Sequence, residues 1–154
     1  YDDSPMFMLD FGDTRLQDYA VEATAADYVG QPWTIDGVYS DHIYAQLSHV
    51  DPIPVEYDNN DKWVPAMNSF AEALKVGMAA QGQKFAANRG RTRHEGAPEA
   101  WFALDASENP PDMVLEEGAF IDKSTKGDVS FLLQEQWERQ ISVLSSIINS
   151  KVCF

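Results

Sequence analysis

The chain has 154 residues, 44% of them hydrophobic, enough to bury a core within a single domain. Acidic residues number 25 and basic residues 11, a formal charge of −14, which argues against nucleic acid as a partner because phosphate contacts need clustered Lys and Arg. No apolar run approaches the roughly 18 residues that cross a bilayer, so no membrane partner is expected. Cys153 is the only cysteine, which removes an intrachain disulfide and a cysteine-based metal site.

The chain opens on Tyr1 rather than Met and lacks a secretory layout at its start, so it reads as processed, excerpted or incomplete there, and the location of the parent protein, secreted or otherwise, stays open. In chain order, Met6 to Phe11 (MFMLDF) is an apolar run that predicts a buried strand ending near Asp10. A helix is predicted from Thr14 to about Val29, with Leu16, Tyr19, Ala23 and Ala26 at helical spacing, Asp13 to cap it and Gly30 to end it. Ile35 to Ser40 is the next strand, closing on Asp41, and a long loop rich in Pro, Asp and Asn follows to about Asp61. Trp63, Met67, Phe70, Leu74 and Met78 then mark one face of a helix that Gly82 closes. Lys84 to Asn88 (KFAAN) reads as a third strand, Pro98 heads a short helix, and Met113 to Glu117 (MVLEE) reads as a fourth strand. The last helix is predicted from about Val129 to Ile148, burying Leu133, Trp137, Ile141, Leu144 and Ile148, and Lys151 to Phe154 begins a fifth strand.

This alternation implies right-handed crossovers and a parallel sheet, in a fold of the α/β class. An open doubly wound sheet and a (β/α) barrel share the pattern. None of the strand-to-helix turns, FGDTR, SDHIY, NRGRT and EEGAF, matches a glycine-rich phosphate loop, which lowers the case for nucleotide binding.

In either architecture, sites form at the carboxyl ends of the parallel strands. Those ends carry Asp10, then Asp41, then Asn88 and Arg89, then Glu116 and Glu117. Carboxylates on alternate strands suit cleavage of a glycosidic bond, in which one group protonates the departing oxygen and the other meets the anomeric carbon. Plainer readings stand beside this one. Asp10 can accept hydrogen bonds from the Gly12-Asp13 turn, Asp36 reads as a cap before Gly37, and Asp41 as a loop carboxylate.

The string IDGVYSDHI resembles the D-G-(V/I)-(F/Y)-x-D strand of TIM-barrel glycoside hydrolases. MFMLDFGD ahead of a helix, the W-x-x-A-M helix followed by KFAANRG, and DMVLEEGAF are similar to neighbouring strands of the hypothetical glycosyl-hydrolase-like family, distantly related to the endo-α-1,4-polygalactosaminidases. The resemblance spans nearly the whole chain. It implies a TIM-barrel segment of about five parallel strands, residues 1–154 as one partial barrel domain cut at both ends, with the remaining barrel units of the parent chain as its partners. It implies a carbohydrate substrate, no cofactor, Asp41 as nucleophile or stabilising base and Glu117 as acid/base, because the family places Glu directly before Gly. Glu116 is the second choice for the acid, since adjacent strand residues face opposite ways. Asp10 and Asn88 are then ligands for sugar hydroxyls.

Tyr39, Tyr44 and Trp101 lie near strand ends or loops, where aromatic faces stack on sugars, although core packing also suits Tyr39. Trp63 and Trp137 read as core. Arg89, Arg91, Arg93 and His94 form the one basic cluster, suited to an anionic sugar or to solvent. His42, His49 and His94 lack metal-ligand spacing. Two other functions fit the same residues: a carbohydrate-binding or structural barrel segment without chemistry, and an α/β enzyme holding a divalent metal at Asp10, Asp41 and Glu117.

Overall fold

A computed structural model describes residues 9–28, 35–47, 53, 55–92, 96–116, 121–123 and 129–153 of the chain. Its elements are α1 (Thr14–Tyr28), β1 (Gly37–Ser40), α2 (Asn60–Ala80), β2 (Lys84–Asn88), α3 (Ala97–Asp105), β3 (Met113–Leu115), β4 (Ile121–Lys123), β5 (Val129–Phe131), α4 (Gln134–Ser146) and β6 (Lys151–Cys153). Helix starts follow local chemistry. Asp13 Oδ1 accepts the Arg15 N–H at 2.8 Å at the head of α1, and Asn59 Oδ1 accepts the Lys62 N–H at 3.2 Å at the head of α2. The predicted stripe Trp63, Met67, Phe70, Leu74 and Met78 is buried along α2.

A four-stranded sheet has the order β1-β2-β3-β6 with every pair parallel, and β4 and β5 form a separate antiparallel pair. Residues paired in register share a face, so Val38 with Phe85, and Ala87 with Val114 and Val152, mark one side of the sheet. All five belong to or pack against the two buried clusters, with α1 and α2 residues in one and α3 and α4 residues in the other. The helices therefore lie on a single face. Tyr39, Ala86, Met113 and Leu115 point to the other face and belong to neither cluster. Strand order never reverses, unlike in a doubly wound sheet.

The amino-terminal rim of the sheet is tied by Asp112, which accepts Lys75 Nζ at 2.6 Å, Lys84 Nζ at 3.0 Å and the Phe85 N–H at 2.9 Å. Asp105, buried at the end of α3, accepts the N–H groups of Ile148, Asn149 and Ser150 and so aims the chain into β6. Among the described residues no helix is long and apolar enough to cross a membrane.

Several sequence expectations differ from this arrangement. Met6 to Met8 lie outside the described residues, and Leu9 to Phe11 form no strand: Phe11 enters a turn and packs edge-on against Trp63 and Phe70. Among the described residues the sheet has four parallel strands, where the sequence predicts about five. Strand β3 ends at Leu115, two residues before the predicted Glu117. Val129 to Phe131, predicted as the first turn of the last helix, pair with Ile121 to Lys123 as strands, and α4 starts only at Gln134. That helix buries Gln140, Val143 and Leu144, while Leu133, Trp137, Ile141 and Ile148 stay exposed, so its inner face is turned from the apolar stripe. In α1, likewise, Tyr19 is exposed and Gln17, Ala20 and Val21 face α2, because Val21 fits over the bare Cα of Gly77.

Candidate functional site

Residue alternation carries Tyr39 and Asp41 to the open face at the carboxyl end of β1. Asn88 ends β2 beside them. Asp41 Oδ1 accepts Asn88 Nδ2 at 2.6 Å, the His42 N–H at 3.0 Å and the Tyr39 hydroxyl at 3.3 Å. Its other oxygen, Oδ2, lies 3.6 Å from His42 Nε2, and the Asp41 side chain remains 53% exposed. The Asn88 hydrogen bond, against a smaller opposing effect of burial, holds the Asp41 carboxyl below the usual aspartate range, with the His42 N–H helping. Asp41 is thus an accessible, ionised carboxylate at a parallel-strand end.

The turn that supplies the His42 N–H is unusual. His42 has φ of 59°, a left-handed backbone that a non-glycine residue adopts only under tertiary constraint. The constraint is visible directly behind it. Ile43, Ala45, Gln46 and Leu47 are buried, the Ala45 N–H donates to the Arg89 carbonyl at 3.1 Å, and Trp63 Nε1 donates to the Tyr44 carbonyl at 3.2 Å. The loop after β1 is therefore part of the core at its first turn. His42 packs its ring edge-on against Tyr44 at 5.0 Å. In the sequence His42 lacks metal-ligand spacing, and its adjacency to Asp41 in SDHI was the only signal for it.

Arg89 does not reach this surface. Its side chain is 1% exposed, donating from Nη1 to the Ile43 carbonyl at 3.0 Å and from Nη2 to Asn68 Oδ1 at 2.9 Å and the Ala100 carbonyl at 3.2 Å. One guanidinium so joins the β1 loop, α2 and α3 beneath the site. Burial pulls its pKa down to about 9, which leaves it a cation at neutral pH. Glu116 is equally buried, with Oε2 accepting the Thr92 N–H at 2.9 Å and Oε1 accepting Gln140 Nε2 of α4 at 2.5 Å. It faces the helix layer, not the open face that Asp41 shares with Tyr39.

Asp10 takes the turn role. Its Oδ1 accepts the Gly12 N–H at 3.0 Å and the Tyr57 hydroxyl. No hydrogen bond joins it to Asp41 among the described residues. Glu117, His49, Arg93 and His94 lie outside them. The structure therefore brings together Tyr39, Asp41 and Asn88 of the predicted set, and adds His42. Trp101 is buried in the cluster with Val114 and Leu144. Among the described residues, no group of three or more His, Cys, Asp or Glu side chains is arranged to hold a metal ion. Grooves of about 600 Å³ along α1 and α2 and about 390 Å³ between α3 and α4 contain none of the predicted site residues.

No family model matches the chain, and no curated protein or solved structure does either.

Proposed function

We propose that the chain is a sector of a (β/α) barrel of the glycoside-hydrolase kind, in which Asp41 is the ionised carboxylate that meets the anomeric centre of a carbohydrate. The observation that carries this reading is the Asp41 carboxylate itself, half-exposed at a strand end and held charged by Asn88 Nδ2 at 2.6 Å. A group of that kind serves as nucleophile, base or electrostatic partner of a developing oxocarbenium ion, and is unsuited to act as the acid. Sequential parallel strands with helices on one face support the barrel, since parallel sheets ordinarily have both faces covered and a barrel covers the second by closing.

The acid in this reading is Glu117. The burial of Glu116 against Thr92 and Gln140 favours its neighbour for the role. Strands β1 and β3 are two apart in the sheet, about 10 Å at the backbone, a spacing of the order of the carboxyl separations of about 5 to 9.5 Å used by glycosidases. Asp41→Asn is expected to lower turnover of both activated and natural glycosides by roughly 10²–10⁴-fold, while Glu117→Gln spares only the activated ones. Sugar binding, measured separately, survives both changes. Near-normal turnover of a natural glycoside by both variants sinks the mechanism.

A second reading, sugar binding without chemistry, draws on Tyr39, a residue 51% exposed beside Asp41. Binding that needs Tyr39, with no turnover on any glycoside, would select it.

A further inference from the structure

The Asp41 carboxylate is oriented from the neighbouring strand. Asn88 is 3% exposed, so protein groups fix how its amide is turned. The Gly90 N–H, which can only donate, lies 2.9 Å from Asn88 Oδ1. The oxygen must therefore face Gly90, and the nitrogen must face Asp41 at 2.6 Å. Gly90 is suited to this place for two independent reasons. Its φ of 78° is left-handed, and a Cβ there would come within 3.1 Å of Tyr44 Cδ1. Tyr44 in turn is held through its carbonyl by the buried Trp63. The order of the core thus reaches Asp41 through Gly90 and Asn88.

We infer that Asn88, locked by the backbone N–H of Gly90, is a positioning residue that grips Asp41 by Oδ1 and leaves Oδ2, which faces the exposed His42 Nε2 at 3.6 Å, as the working oxygen. This differs from the sugar-ligand role that the family resemblance implies. It rests on the reading of Asp41 as the working carboxylate only in what the grip is for. A charged acceptor strengthens such a bond, so the grip also favours the ionised form of Asp41. The Tyr39 hydroxyl, at 3.3 Å on the same oxygen, is the weaker donor by distance.

The test is a carboxyl-carbon NMR titration of Asp41 in the full chain and in the variants Asn88→Ala, Gly90→Ala and Tyr39→Phe. The midpoint should rise in the first two and move less in Tyr39→Phe. In the unsubstituted protein the Asn88 side-chain amide signal should shift with the same midpoint as Asp41, a measurement that needs no variant to fold. The acid limb of kcat/KM on an activated glycoside should move upward with the carboxyl midpoint, and kcat/KM of Asn88→Ala should fall roughly a hundredfold from misplacement of the carboxylate. An Asp41 midpoint unchanged in Asn88→Ala, or an Asn88 amide signal that ignores the titration of Asp41, overturns the inference. The titration needs no substrate, so a protein that cleaves no glycoside refutes the proposed function and leaves this result standing.

Discussion

Asp112 shows at the residue scale how one carboxylate can join segments that are distant in sequence. It sits at the start of β3, yet it receives Lys75 from α2 and both Lys84 and the Phe85 N–H from β2. Burial alone would raise its pKa. The hydrogen bonds from Lys75, Phe85 and Lys84 together outweigh that and bring it to about 2. A carboxylate depressed in the folded state stabilises the protein fully above its unfolded value of about 3.9, and that contribution is lost as pH falls through about 2. Asp112→Asn should therefore be less stable than the native chain at pH 6, with the gap closing between about pH 4 and pH 2. Urea unfolding of both proteins across that range checks it, and a gap independent of pH rules the account out. At the site, the same physics works in the open: Asp41 stays ionised because its donors are fixed, whereas Glu116 and Arg89 make their hydrogen bonds inside the core.

Packing between elements depends on details finer than the hydrophobic pattern. Helices α1 and α2 approach where Gly77 offers no side chain, and a Cβ at Gly77 would fall 2.3 Å from Val21 Cγ1. Alanine is the better helix former by about 1 kcal/mol, so a Gly77→Ala change on an uncrowded helix would stabilise. Here overpacking is the larger effect, and we expect Gly77→Ala to cost about 1–3 kcal/mol. Adding Val21→Ala should return part of that loss, which makes the pair non-additive in a double-mutant cycle. Additive free energies from denaturant unfolding would show that the helices do not meet this way. The regular stripe of α2 was legible in the sequence because one face of that helix is buried along its length in a single apolar cluster that includes Phe85 and Ala87 of β2. The apolar residues of α4 misled, because Leu133, Trp137 and Ile141 keep helical spacing while the buried face runs through Gln140, Val143 and Leu144. Gln140 is inside because it donates to Glu116, a pairing across 24 residues that periodicity cannot register.

For the whole molecule, the charge of −14 is a uniform burden on a compact state. Attractions such as Lys75 and Lys84 with Asp112 are local and partly sheltered, while repulsion among surface carboxylates is long-range and screened by salt. Raising NaCl from about 10 mM to about 300 mM should therefore increase stability by on the order of 1 kcal/mol, seen as a Tm higher by about 2–5 °C. A Tm that falls with added NaCl would show that ion pairs outweigh the repulsion. The one-sided sheet belongs to this scale as well. Its helices bury Phe85, Ala87 and Val114 and partly cover Val38, and its other face presents Tyr39 with Asp41 at the strand end.

The sequence by itself determined the α/β class, the strands ending at Ser40 and Asn88, the buried stripe of α2 and the placement of Asp41 at a strand end. Each of these depends on local signals: apolar runs, helical period and the polar residue that stops them. Tertiary structure alone decided strand order, the single covered face, the pairing of β4 with β5 and the fates of the charged residues. Asn88 and Arg89 are adjacent in sequence, but Asn88 donates to the exposed Asp41, while Arg89 turns inward to the carbonyls of Ile43 and Ala100. The physical reason is that burial and hydrogen-bond partners come from residues far along the chain. A local pattern states which groups stand at a strand end, and only the packed neighbours state whether each meets solvent or the core.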